Sequence, residues 1–230
     1  MDAVAGYIRM DHWFKTIAGQ RLQTEIETCL AQVDLGYLNK QFLQIGSLGE
    51  NLWLSNLPFK HKWLMNLYES RGSDVVGWTS QLPFPKDSIE VVFAPFLFEF
   101  GMDPWSIVSE LDRVVESMGY VIIVGLNPLA MWKSSRLLTR KSHYKWYQAF
   151  KGYSYWSVKA MFRSLGYEQT NAQFFYYIPP VKTKRFLDYY NLVNHFAKLI
   201  APYPPSFFML TMQKRQEGFV CTALEKTPLW

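Results

Sequence analysis

The sequence predicts an α/β fold built on a mostly parallel, doubly wound sheet. Three observations carry that expectation. All lie between residues 82 and 128, which read LPFPKDSIEVVFAPFLFEFGMDPWSIVSELDRVVESMGYVIIVGLNP. Ile89–Phe93 is a short apolar run with β-branched residues, followed by a break at Pro95. Asp103-Pro104 opens a helix, with the proline pre-set for a first turn. Ile107, Leu111, Val114 and Val115 then recur at three- and four-residue spacing, which makes one face apolar. Met118-Gly119 is expected to end that helix. Tyr120–Val124 follows as a second apolar run, too short for a helix and rich in Val and Ile. Two apolar strands joined by a helix argue for parallel pairing with both faces covered. Such a unit winds right-handed and places ligands outside the carboxyl ends of its strands.

The other elements follow in chain order. Residues 1–16 read as a loose arm carrying Trp13 and Phe14. Thr16–Gln32 reads as a helix, with Ala18, Leu22, Ile26 and Leu30 on one face. Gln41–Ile45 is a first strand, and Gly46-Ser47-Leu48-Gly49 is a tight turn after it. His61–Leu67 is a second strand and Ser73–Trp78 a third. The two runs described above are the fourth and fifth. Residues 128–153 form a basic, aromatic-rich connection. Ser154 caps a helix running to Leu165, where Gly166 stops it. Ala172–Ile178 is a sixth strand. Lys182–Leu199 is a further helix ended by Pro202, Pro204 and Pro205. Ser206–Gln213 is a seventh strand, and Gly218–Leu224 an eighth or a trailing arm.

At 230 residues the chain is expected to be one domain. Within it, 1–35 are arm and helix, 36–178 the core, 128–153 a lid segment, and 179–230 a closing helix and strands. Hydrophobic residues make up 49% and aromatics 17%, ample for a core. Charged residues, at 19%, fall below the usual quarter, so some aromatics are expected at a pocket or interface. A net charge of +5 permits acidic partners without demanding them. Cys29 and Cys221 match no metal spacing and read as free thiols in a reducing compartment. His12, His61, His143 and His195 are scattered and form no ligand set, so no metal is expected. No signal-peptide core and no run of about 18 apolar residues is present, which gives the expectation of a soluble, cytoplasmic protein.

At this point the residues resemble a known family. LPFPKDSIEVVFAPFLFEF, the DP-initiated helix ending in LDRVV, and a G-aromatic-V-I-I strand are similar to class I methyltransferases that use S-adenosylmethionine. The pattern is that of their methyltransferase-11 group. Trp13-Phe14 with Thr16 and Gly19, LQIGSLGE, Glu99-Phe100, and GLNP with Trp132 and Arg136 beyond look closer still to a YafS-like bacterial branch. The resemblance runs over residues 12–178. It implies a Rossmann-like sheet of seven strands with the last antiparallel. It also implies a cofactor, S-adenosyl-L-methionine, across the ends of the first, second and fourth strands, and methyl transfer to an unnamed acceptor.

The candidate cofactor residues are Gly46, Ser47, Gly49, Glu50, Asn66, Trp78, Thr79, Ser80, Leu82, Pro95 and Phe96. Gly46 and Gly49 allow the close backbone approach that a cofactor carboxylate needs. The family alternates three glycines, whereas here the middle one is Leu48, which threatens to intrude; a plain strand-to-helix turn is the competing reading. The second strand of the family ends in an acid for the ribose hydroxyls. Asn66 stands there, able to donate and accept but uncharged. Glu69 is an alternative or a solvated loop acid. Trp78 stacks on the purine or packs at a strand end. Leu82 and Phe84 wall the adenine or fill the core. Glu99 is the one acid between Val91 and Met102. It is a candidate catalytic base, or a carboxylate that orders the turn by accepting from loop amides.

Residues 117–167 contain no Asp or Glu and interleave basic with aromatic side chains. They suit an anionic substrate, a single-stranded nucleic acid or a membrane surface, or else form a lid with snorkelling bases. The leading expectation is a methyltransferase. The alternatives are a degraded methyltransferase fold kept for binding, and a nucleic-acid-binding protein.

Overall fold

The computed structural model describes residues 3–36, 40–51, 53–70, 72–128, 152–176 and 205–215. The strands are β1 (Gln41–Ile45), β2 (His61–Asn66), β3 (Val75–Val76), β4 (Ile89–Pro95), β5 (Val115–Leu126), β6 (Tyr167–Phe175) and β7 (Phe207–Lys214). They form one sheet in the order β3-β2-β1-β4-β5-β7-β6. Pairing is parallel from β3 to β5, and β7 runs antiparallel to both β5 and β6. This is the Rossmann-like, mostly parallel seven-stranded sheet the resemblance implied.

β4 shows why the sheet needs cover on both faces. All seven of its residues are buried. Side chains alternate across a strand, so Val91 and Phe93 enter one core while Val92 and Ala94 enter the other. The first core lies under α1 (Ala3–Phe14) and α2 (Ile17–Ala31), which contribute Met10, Phe14, Leu22 and Ile26. The second lies under α4 (Pro104–Val114) and α5 (Tyr155–Arg163), which contribute Ile107, Leu111, Val158 and Phe162. Among the described residues between β1 and β2, the helix is a single turn, α3 (Trp53–Asn56).

The local signals for the helices hold. Thr16 caps α2, its hydroxyl accepting from Gly19 N–H at 3.3 Å. Asp103 caps α4, accepting from Ser106 N–H at 2.9 Å, with Pro104 at the first position. Ser154 caps α5 in the same way.

Several boundaries depart from the sequence reading. Residues 1–16 are not a loose arm. Residues 3–14 form a helix whose Tyr7, Met10, Trp13 and Phe14 are buried, so packing rather than propensity orders them. α4 ends at Val114, not at Met118-Gly119. From Val115 the backbone is extended and pairs with Ile89, and β5 continues to Leu126 through a bulge, after which Tyr120 pairs with Val91. Gly119 is a packing glycine within it, since a Cβ there would sit 2.7 Å from Glu90 O. β6 starts at Tyr167, because its antiparallel partner β7 extends to Lys214. The expected helix Lys182–Leu199 and the segment Gly218–Leu224 lie outside the described residues. So does most of the basic connection, 129–151, with Trp132, Arg136 and His143. His195 and Cys221 lie outside them too.

Candidate functional site

The carboxyl ends of β1, β2 and β4 meet at the turn after Ile45. Gly46 takes φ +94° and Gly49 φ +64°, both left-handed, where an L side chain is strained. Gly46 N–H still donates to Met65 O at 2.8 Å, which fixes the turn to β2. Gln44 and Asn51 hold its shape. Gln44 Nε2 donates to Gly46 O (2.8 Å) and to Asn51 Oδ1 (2.7 Å), and Leu48 N–H donates to the same Asn51 oxygen (2.8 Å). Neither residue was expected at the site. The signal, two amides flanking a glycine turn, becomes visible only once the chain folds back.

Leu48 does not enter the hollow. Its side chain is fully buried in the core under α1 and α2. What remains beside the turn is a cleft of about 590 Å³ lined by Ser47, Gly49, Glu50, Asn51, Ser70 and Gly72, together with Asp11 of α1 and Lys15 just after that helix. Asp11 and Lys15 pair at 3.3 Å.

Asn66 is 2% exposed and is bonded to two of the lining serines. Its Nδ2 faces three serine hydroxyls: Ser47 Oγ at 2.9 Å, Ser70 Oγ at 2.8 Å and Ser73 Oγ at 2.7 Å. Ser70 and Ser73 were not singled out in the sequence. The position that elsewhere takes an acid is here a neutral cluster of one amide and three hydroxyls. Glu69 is exposed.

The remaining candidates separate. Trp78 is 60% exposed, and Ser80 is also at the surface. Thr79 is buried, its hydroxyl 3.2 Å from Met102 Sδ. Leu82 packs in the second core with Met65 and Val92. Glu110 and Arg113 of α4 clamp its backbone: Glu110 Oε2 accepts from Leu82 N–H, and Arg113 donates to Leu82 O and Phe84 O, each at 2.9 Å. Pro95 ends β4 inside the sheet. Phe96 has φ +56°, and its ring packs between Phe14 and Phe207 at 5.9 and 5.7 Å. Thus Ser47, Gly49 and Glu50 line the cleft with Asn66 behind them, while Leu82 and Phe96 are core residues.

Glu99 is 1% exposed. Its Oε1 accepts from Leu126 N–H at 2.9 Å, which ties the loop after β4 to the end of β5. Next to it in sequence is Phe100, whose ring centroid is 4.3 Å from that of Tyr7 of α1. A Cβ on Gly46 would fall 3.2 Å from Tyr7 Cε1, so α1 covers the strand ends here. Burial first, and the charge of Glu99 second, push the Tyr7 phenol well above its ordinary range.

On α5, Trp156 is exposed and Lys159 Nζ lies 5.6 Å from its ring centre. Among the described residues no cluster of His, Cys, Asp and Glu is placed to hold a metal, and no helix is long and apolar enough to cross a membrane.

Residues 62–123 match the family model described as a methyltransferase domain, of the methyltransferase-11 type. No curated protein matches the chain. Among solved structures, a SAM-dependent methyltransferase from Archaeoglobus fulgidus superposes with TM-score 0.58 at 13% identity, covering 85% of this chain and 94% of that one. A SAM-dependent methyltransferase from Thermotoga maritima, described as a possible histamine N-methyltransferase, gives 0.56 at 16%, covering 83% and 88%. The cyclase SpnF gives 0.56 at 12%, covering 83% and 80%. At these identities the likeness establishes fold and not chemistry. Residues 62–123 thus match the methyltransferase-domain model, and the chain shares the fold of solved S-adenosylmethionine-dependent methyltransferases.

Proposed function

We propose that the protein transfers a methyl group from S-adenosyl-L-methionine to an acceptor at the carboxyl ends of β1, β2 and β4. One observation carries the reading. The cleft of about 590 Å³ beside the left-handed glycine turn is open, with Leu48 and Trp78 both outside it. The residues present fit the cofactor. Gly46 and Gly49 let the backbone approach it. The Ser47, Ser70 and Ser73 hydroxyls around Asn66 offer both donors and acceptors to a ribose diol without a carboxylate. When bound, the cofactor supplies an electrophilic methyl carbon on a sulfonium. The chain's own part is to align the acceptor with that carbon and to exclude water, a task that needs positioning more than acid–base work.

A second reading rests on a specific observation. The Asn66 cluster carries no charge and Tyr7 of α1 covers the backbone at Gly46, as in a fold kept for binding. The two readings part in one experiment. Isothermal calorimetry and thermal shift with S-adenosylmethionine and with S-adenosylhomocysteine should give saturable binding, with product bound at least as tightly as substrate. No heat and no shift at millimolar ligand would sink the methyltransferase reading.

A further inference from the structure

The turn after β1 is built on two side chains as much as on its glycines. Gln44 is 0% exposed and Asn51 9%. Gln44 Nε2 spends both of its hydrogens inside the turn, on Gly46 O at 2.8 Å and on Asn51 Oδ1 at 2.7 Å. Asn51 Oδ1 takes a second donor, Leu48 N–H at 2.8 Å, and Asn51 Nδ2 donates to Gly49 O at 3.3 Å. The pair thereby satisfies Gly46 O, Leu48 N–H and Gly49 O. What each position must supply is specific. Residue 44 must offer two hydrogens to two acceptors, which an amide does and an ionised carboxylate cannot. Residue 51 must offer an oxygen that accepts twice. Its backbone also sits at φ +52°, a left-handed value that Asn tolerates better than most side chains.

The same residues shape the cleft. Ser47, Gly49 and Asn51 all line it. Leu48, between them, is held at both ends, its side chain in the core under α1 and α2 and its N–H on Asn51. The turn therefore stands in one shape before a ligand arrives. Order already in place is not subtracted from the binding free energy. Without the two amides, three backbone groups of the turn lose their partners and the left-handed backbone is free to relax.

We propose that Gln44 and Asn51 are positioning residues: by fixing the glycine turn they set the affinity of the cleft for the cofactor. The proposal rests on the methyltransferase reading above. It makes opposite demands of two isosteric substitutions. Gln44→Glu sets an ionised carboxylate against two acceptors, Gly46 O and Asn51 Oδ1. Protonation returns one hydrogen, so the damage eases in acid. Asn51→Asp keeps both bonds accepted by Oδ1 and gives up only the longer one to Gly49 O. Asn51→Gly accommodates the left-handed φ and removes every side-chain bond.

The test is calorimetric titration of the full chain with S-adenosylhomocysteine at pH ~6 and pH ~8.5. Each loss is taken relative to the wild type at the same pH. That ratio sets aside the ionisable groups lining the cleft, Asp11, Lys15 and Glu50, which every variant retains. Gln44→Glu should bind about tenfold more weakly at the higher pH, the scale of one buried group left unpaired, and should regain much of that loss at the lower. Asn51→Gly should lose about tenfold at both, and Asn51→Asp less than about threefold. A role in stability alone would lower urea midpoints and leave the affinity of the folded protein unchanged. Wild-type affinity in Gln44→Glu at the higher pH, or an equal loss at both, overturns the role of Gln44. Wild-type affinity in Asn51→Gly, or as large a loss in Asn51→Asp, overturns the role of Asn51. If circular dichroism shows Gln44→Glu unfolded at the higher pH, the two Asn51 variants decide the proposal. In each of these outcomes the wild type still binds and the methyltransferase reading stands. Absence of S-adenosylhomocysteine binding in the wild type removes both readings at once.

Discussion

Gly6→Ala is the sharpest probe of how α1 is held over the strand ends. In a free helix this change is favourable by about 1 kcal/mol, because alanine loses less backbone entropy than glycine. Here the added Cβ would meet the Phe100 ring, 2.6 Å from Cε1 and 3.1 Å from Cγ. Carbon atoms prefer about 3.5–4.0 Å, and relieving such overlap in a packed site costs about 1–3 kcal/mol. The collision engages Cγ, so the ring cannot simply swing its far end away. The net expectation is a loss of about 1 kcal/mol. With an m-value of about 2 kcal/mol per molar urea, the midpoint should fall by ~0.5 M. Hydrogen exchange should speed up across residues 3–14, where the Tyr7–Phe100 contact is broken, and far less in β4 or β5. A midpoint that rises by ~0.5 M would show propensity winning over contact and would refute the close docking of α1.

Further changes test other parts of the site. Glu99→Ala strands the buried Leu126 N–H and should cost about 1–3 kcal/mol in urea melts, whereas Glu99→Gln keeps an acceptor oxygen and should cost less; equal losses would argue against the Leu126 bond. Arg113→Ala removes the donors to Leu82 O and Phe84 O. With a third of the side chain exposed, the loss should be about 1–2 kcal/mol, with faster proteolysis at residues 82–84; an unchanged digest would count against the clamp. Glu116 is pushed above its ordinary value of 4.5 by burial first, then by Glu90 and Asp87. A raised folded-state pKa means the native state holds the proton more tightly than the unfolded chain. Its stabilising contribution is full below the unfolded value and is lost as pH rises through the folded one. Glu116→Gln should therefore exceed the wild type in stability at neutral pH and converge with it in acid; a pH-independent difference would contradict this assignment.

Much of the sheet was legible because its signals are local. β4 and β5 announce themselves as apolar runs, since a strand covered on both faces has no polar side to alternate. Thr16, Asp103 and Ser154 mark helix starts because a cap bonds the backbone only three residues on. The end of α4 was misread for the opposite reason. Residues 115–118 continue a plausible helix, and only pairing with Ile89 pulls Val115 into the sheet. α1 was missed because its order comes from lying on strand ends that the local pattern does not reveal. The resemblance to the methyltransferase-11 group met its match over residues 62–123, while the finer likeness to a YafS-like branch stands on the motifs alone.

By itself the sequence determined the class of fold, the glycine turn after β1, the neutral residue at the end of β2 and the buried acid after β4. Each depends on residue type and short spacing, which are present in the chain before it folds. Tertiary structure alone decided where Leu48 points, that Ser70 and Ser73 gather on Asn66, and that Tyr7 comes to lie over Gly46 against Phe100. Those contacts join segments with no shared periodicity. Their partners are chosen by which faces remain to be covered once the sheet has closed.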